Sequence, residues 1–140
     1  MTEQVKFHFD IDGDNFTSAG EASVRIKKLL REMGFSPDVI RRVSVAMYEG
    51  EINMVIHADG GSADVIVTGD SIEIILADKG PGIPDIDMAM KEGFSTAPDN
   101  IRSLGFGAGM GLPNMKRYTD DMRIESEVGK GTTIYMTVNV

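Results

Sequence analysis

The sequence predicts an α+β fold, with helices packed on one face of a mixed β-sheet. Three observations predict it. Segments with two-residue and with 3.6-residue apolar periodicity follow in the order β-α-α-β-β-(α)-α-β-β, so helices and strands cluster in blocks. The chain has 140 residues, the length of one domain. A domain near that size buries roughly 70% of its unfolded surface, enough for a real core. The 41% hydrophobic and 26% charged content is ordinary for a globular protein. We therefore read 1–140 as a single domain.

Each element has a local reason. VKFHFDI (Val5–Ile11) alternates apolar and polar residues, as a strand does. From Ala19 to Met33, the residues Ala22, Ile26, Leu29, Leu30 and Met33 keep helical spacing, and Gly34 is placed to stop the helix. Ser36 then reads as an N-cap, with Pro37 at the first helical position. The second helix runs from Pro37 to about Ala58 on a stripe of Val39, Val43, Ala46 and Met47. Ala63–Asp78 reads as two strands around the turn Gly69-Asp70. A Gly- and Pro-rich loop, Lys79–Asp85, leads to a short helix over Ile86–Lys91. Gly93–Gly111 is rich in turn formers, and loops of that length are usually functional or disordered. LPNMKRYTDD reads as a helix that tolerates Pro113 in its first turn. MRIESEV and TTIYMTVNV are two more strands, joined by Gly129-Lys130-Gly131.

Composition excludes several classes. No apolar run approaches the ~18 residues of a membrane helix. The N-terminal stretch lacks an apolar core with a cleavage site, so no secretory signal is expected. The absence of cysteine rules out disulfides and thiolate metal sites and fits a cytoplasmic protein. Only His8 and His57 are histidines, which argues against zinc; His57 reads as a helix-end residue. The net charge is −8 with no Lys/Arg block, which argues against a nucleic-acid partner. An acidic protein can still bind an anionic nucleotide locally, through backbone N–H groups, a metal ion and a few cations.

Four short motifs can carry chemistry. In EGEIN, Glu49 and Asn53 lie four residues apart and project from one helical face, while Glu51 points about 200° away from Glu49. A carboxylate beside a metal-binding amide suits phosphoryl transfer, although a solvated helix face would read the same. DKGPGIP places Asp78 at a strand end, where it can accept a hydrogen bond from an adenine amino group. Gly80 and Gly82 would let the backbone approach a flat base; a plain Gly-Pro turn is the other reading. GFGAGMG leaves backbone N–H groups unshielded before a helix, which suits phosphate or a simple hinge. No Gly-Lys-Ser/Thr follows, so it is not a P-loop. GKGTT is a tight turn whose threonine hydroxyl can reach a base edge.

Taken in order, these motifs resemble the GHKL family of ATP-binding domains, which have the Bergerat fold, a two-layer α/β sandwich. The N box matches Glu49–Asn53, and the Gly boxes match Asp78–Gly82, Gly107–Gly111 and Gly129–Thr132. DKGPGIPDIDMAMKEGFSTAP and GAGMGLPNMKR most resemble the bacterial anti-sigma and switch serine kinases. The resemblance implies ATP and Mg²⁺ as ligands, with Asn53 on the metal and Glu49 as the general base toward a substrate serine. It implies Asp78 on adenine, Gly80 and Gly82 lining the base pocket, and Thr132 close to the base. Gly107, Gly109 and Gly111 would contact phosphates, and 93–104 would form a lid; apart from the resemblance, we read Arg102 as the cation of that segment best placed to reach a phosphate. The implied partner is a small anti-sigma-factor antagonist; a sigma factor and a second copy of the chain are further partners that such relatives take. The N box departs from the family in Gly50-Glu51-Ile52, where small apolar residues are usual, and a helical glycine costs about 1 kcal/mol relative to alanine. The glycine run also begins early, at Gly105. No paired helices with a phosphoacceptor histidine are recognisable, which favours action on another protein. Two alternatives stay open at this point: a nucleotide-controlled binding module without kinase activity, and a catalytic domain that phosphorylates a histidine protein in trans.

Overall fold

The computed structural model describes residues 4–12, 20–58, 60–83, 86, 90 and 111–140, the side chains of 56–58 excepted. Within them the order is β1 (Val5–Asp12), α1 (Glu21–Glu32), α2 (Pro37–Ala58), β2 (Gly60–Val67), β3 (Ser71–Ala77), α3 (Gly111–Arg117), β4 (Asp121–Glu127) and β5 (Gly131–Asn139). The expected α+β layering is what the chain forms. Its sheet has the order β1-β2-β3-β5-β4, and every described pairing is antiparallel instead of mixed. The connections explain this. Two helices between β1 and β2 return the chain to the end of the sheet it left, so β2 runs against β1. β3 and β4 do share a direction, but β5 lies between them and opposes both.

Alternation along the strands builds the core. Phe7, Val65, Ile74, Met136 and Met122 form one continuous cross-strand row, and Phe9, Ala63, Leu76, Ile134 and Ile124 form the next. These rows meet Ile26 and Leu30 of α1, Val43 and Met47 of α2, and Met115 of α3, all fully buried. Each such large side chain contributes about 1.5–3 kcal/mol relative to exposure.

The α1–α2 connection follows its sequence signals. Gly34, at φ +87°, donates its N–H to Arg31, while Phe35 donates to Leu30, closing the last turn of α1 in a Schellman arrangement. Ser36 Oγ then accepts the Val39 N–H at 3.3 Å as the cap of α2. The start of α1 is different. Gly20 precedes it with no side-chain cap of its own. The cap comes from α2: Glu51, 1% exposed, accepts N–H bonds from Gly20 (3.0 Å), Ala22 (3.2 Å) and Ser23 (2.6 Å). Burial pushes this carboxyl above the ordinary glutamate range, and the three N–H groups pull against that shift.

At the far end of α2, Arg42 donates to Asp120 Oδ2 (2.8 Å) and to the Tyr118 carbonyl (3.3 Å). The Asn139 N–H, first, and Arg42 hold Asp120 below the usual carboxylate range. This ties α2 to the start of β4 and the end of β5.

Candidate active site

The expected catalytic pair lies on α2, one turn apart, where that helix meets α3. Glu49 is half-buried, and its Oε1 accepts a hydrogen bond from Asn114 Nδ2 at 3.2 Å. A Cβ placed on Gly111 would lie 3.8 Å from Glu49 Oε2 and 4.0 Å from Asn53 Oδ1. The N box and the last glycine of the second Gly box are therefore packed face to face. Burial raises the Glu49 carboxyl above its ordinary range, and the Asn114 bond works in the opposite direction. A carboxylate poised upward in this way is a better proton acceptor at neutral pH than an exposed one.

The unusual residues between Glu49 and Asn53 have structural reasons. A Cβ on Gly50 would collide with Leu76 Cδ1 of β3, and Leu76 itself is buried. The glycine thus lets this turn of α2 sit directly on the sheet. Glu51 projects toward α1, as its position on the helix required, and makes the cap described above.

A second cluster forms at the end of β3. Asp78 Oδ1 accepts the N–H groups of Gly80 (2.9 Å) and Thr132 (3.1 Å), and the Asp78 N–H donates to the Thr132 carbonyl (2.9 Å). Gly131 permits this contact. At φ +130° it adopts a conformation unfavourable to other residues, and any Cβ there would collide with the Asp78 carbonyl oxygen. Ser126 knits the cluster together: its Oγ accepts the Ile83 N–H (2.7 Å) and lies 2.8 Å from Thr132 Oγ1. Gly82 packs against the Glu127 and Val128 backbone. The two clusters share an end of the molecule, since a Cβ on Gly61 would lie 3.0 Å from both Asp78 Cα and Met54 Sδ, the residue after Asn53.

The structure thus brings Glu49, Asn53 and Gly111 together, and Asp78, Gly80 and Thr132 together. Gly107, Gly109, Arg102 and the 93–104 segment lie outside the described residues, as does the side chain of His57. Residues 86–91, expected as a short helix, are described only at Ile86 and Met90, whose N–H donates to Ile86. Sequence reasoning missed Glu51, Asn114 and Ser126. Asn114 had one available signal: it lies one helical turn beyond Gly111, on the face that packs against α2.

A carboxylate, an amide and a glycine converge beside a separate Asp–Thr cluster on a helix-covered antiparallel sheet. Residues 18–140 match the family of histidine kinase-, DNA gyrase B-, and HSP90-like ATPases, to which the chain belongs. Among curated proteins it is similar to serine/threonine-protein kinase RsbT of Bacillus subtilis, at 34% identity over 112 residues, 77% of this chain and 78% of the relative. It is also similar to the anti-sigma F factor of Geobacillus stearothermophilus, at 31% identity, covering 97% of this chain and 92% of the relative. Among solved structures, the RsbU and RsbW domains of Rv1364c from Mycobacterium tuberculosis share the fold. The TM-score is 0.66 at 17% identity, over 96% of this chain and 32% of that one. No described helix is long and apolar enough to cross a membrane.

Proposed function

We propose that this chain is an ATP-dependent protein serine/threonine kinase of the anti-sigma regulatory type, acting on a small antagonist protein. The observation that carries the proposal is the convergence of Glu49, Asn53 and Gly111 in a chain whose relatives are named a serine/threonine kinase and an anti-sigma factor. Glu49 accepts the proton of the substrate serine as its oxygen attacks the γ-phosphorus. The new O–P bond forms while the bond to the β–γ bridging oxygen breaks, and ADP leaves. Asp78 Oδ1 is engaged by Gly80 and Thr132, which leaves Oδ2 for the adenine amino group. Gly80, Gly82 and Thr132 border the base, and Gly107, Gly109 and Gly111 face the phosphates.

The donor set fits Mg²⁺. This ion takes hard oxygen ligands, usually one or two from protein, with phosphates and waters completing the shell. Asn53 Oδ1 beside Gly111 is such a ligand, and among the described residues no group of three or more His, Asp or Glu offers a cage of its own. When bound, Mg²⁺ neutralises charge on the transferring phosphoryl group. A sigma factor is a second partner class, motivated by the name of the Geobacillus relative, and pairing of two copies a third arrangement.

The test is transfer from γ-labelled ATP to an antagonist-domain protein of the same genome. Acid-stable phosphoserine is expected. Glu49→Gln should lose about 10²–10⁴-fold of the transfer rate while still binding ATP. Wild-type transfer by Glu49→Gln would overturn the base assignment. Acid-labile phosphate would point to a histidine acceptor, and nucleotide-dependent partner binding without transfer to a binding module; either refutes the serine/threonine kinase reading.

A further inference from the structure

We infer that Asn114 is the positioning residue for Glu49, with Arg117 fixing the orientation of its amide, so that Glu49 Oε1 is the anchored oxygen and Oε2 the proton acceptor. The inference rests on the reading of Glu49 as the base. Three distances carry it. Asn114 Nδ2 donates to Glu49 Oε1 at 3.2 Å, Arg117 Nη1 donates to Asn114 Oδ1 at 3.3 Å, and Oε2 is the Glu49 oxygen 3.8 Å from a Cβ on Gly111. Only one orientation of the Asn114 amide satisfies both neighbours. Flipped, it would set its carbonyl oxygen against a carboxylate and its NH₂ against a guanidinium. Arg117 therefore selects the donor that Glu49 meets, and the carboxylate is held by a neutral partner.

This arrangement has a chemical purpose that a direct ion pair would defeat. An arginine on Glu49 would stabilise the carboxylate strongly and weaken it as a base. An amide in between aligns the carboxylate and lowers its proton affinity only modestly. Among the described residues, Arg117 of α3 donates to Asn114 and Glu51 of α2 is turned to α1, while β3 presents apolar Leu76 at Gly50. Burial and the Asn114 bond are the causes of the Glu49 shift, with no charged neighbour among them. The bond also joins the base to the helix that begins at Gly111, so that Glu49 and the end of the second Gly box are placed as one unit.

The test combines a ¹³C NMR titration of the Glu49 carboxyl with the pH profile of single-turnover phosphoryl transfer. Asn114→Ala removes the bond without threatening the helix, since alanine is the better helix former. We expect its Glu49 carboxyl to titrate at higher pH, the acid limb of the rate profile to move up by the same amount, and kcat near neutrality to fall about tenfold, one 1.4 kcal/mol step. KM for ATP should stay within about twofold, as expected when only the transition state loses an interaction. Asn114→Asp should move the limb further up, because it sets a like charge beside Glu49. Arg117→Gln should act in the same direction as Asn114→Ala, but less. If Glu49→Gln is inactive while the Asn114→Ala titration and profile superpose on wild type, the Asn114 inference alone is wrong. If Glu49→Gln transfers normally, the base assignment itself fails, whatever Asn114 does.

Discussion

Glu51→Ala removes one buried carboxylate and leaves three backbone N–H groups at the start of α1 without their acceptor. Those groups belong to Gly20, Ala22 and Ser23, at 3.0, 3.2 and 2.6 Å from the carboxylate. An unsatisfied buried donor costs about 1–3 kcal/mol, and loss of a helix cap typically about 1 kcal/mol. Two effects offset part of this: water can enter a space the size of a carboxylate, and the desolvation of the carboxylate itself is relieved. We therefore expect Glu51→Ala to lose about 2–4 kcal/mol of stability, far more than an ordinary surface change. For a chain of this size that is roughly 6–15 °C in Tm. Glu51→Gln keeps one acceptor oxygen but turns an NH₂ toward the donors, so an intermediate loss of about 1–3 kcal/mol is expected. Urea unfolding at pH 7 measures the loss, and hydrogen exchange at Gly20, Ala22 and Ser23 locates it. A Glu51→Ala protein within about 0.5 kcal/mol of wild type, with unchanged exchange at those three positions, would refute the assignment of Glu51 as the α1 cap.

Two further perturbations test other parts of the fold and site. Gly131→Ala combines an unfavourable positive φ with a collision against the Asp78 carbonyl; we expect a loss of about 2–5 kcal/mol in urea unfolding and weakened ATP binding by calorimetry, and a wild-type midpoint would contradict this. His8 on β1 is bonded through Nδ1 to Asp64 (2.6 Å) and through Nε2 to Asp10 (3.0 Å), and these contacts, Asp64 first, raise its pKa. The folded state then holds the His8 proton more tightly than the unfolded chain. The resulting stability is fully present below about pH 6.5, the unfolded value, and is lost as pH rises through the folded one. Wild type and His8→Gln should differ most in urea midpoint at pH 6 and converge above the folded pKa; the effect is small because the pair is exposed, and a pH-independent difference would exclude it.

Much of the fold was legible because its signals are local. Ser36-Pro37 and Gly34 mark their helix ends by local chemistry alone, and the structure places α2 at Pro37–Ala58 as expected. The strands followed from alternation. The direction of the sheet did not, because it depends on which strands become neighbours: β5 inserts between β3 and β4, a global property. At the site, Glu49 and Asn53 were visible from their spacing, but their environment was not. Gly50 read as a weakness of the helix until Leu76 supplied the reason for it. Glu51 read as merely facing away, because the donors it meets lie about thirty positions earlier in the chain. Asn114 and Ser126 are ordinary polar residues in sequence, and only tertiary contact gives them partners. Gly80 and Thr132 gather around Asp78 through backbone bonds that any residue type could make, so glycine and threonine marked the place without revealing the bonding.

The turn from Glu49 to Asn53 faces three different elements: α3 from Glu49 and Asn53, β3 from Gly50 and α1 from Glu51. Such a turn does not change one letter at a time without consequence. Where a related chain carries an apolar residue at position 51, the start of its α1 must find another acceptor, and a Ser, Thr, Asp or Asn at the position of Gly20 is the simplest supply. Positions 20 and 51 should therefore drift through evolution as a correlated pair, although neither has been assigned a contact with nucleotide. Grafting the apolar N box of a relative onto this chain would unfasten α1 unless its cap were transferred with it.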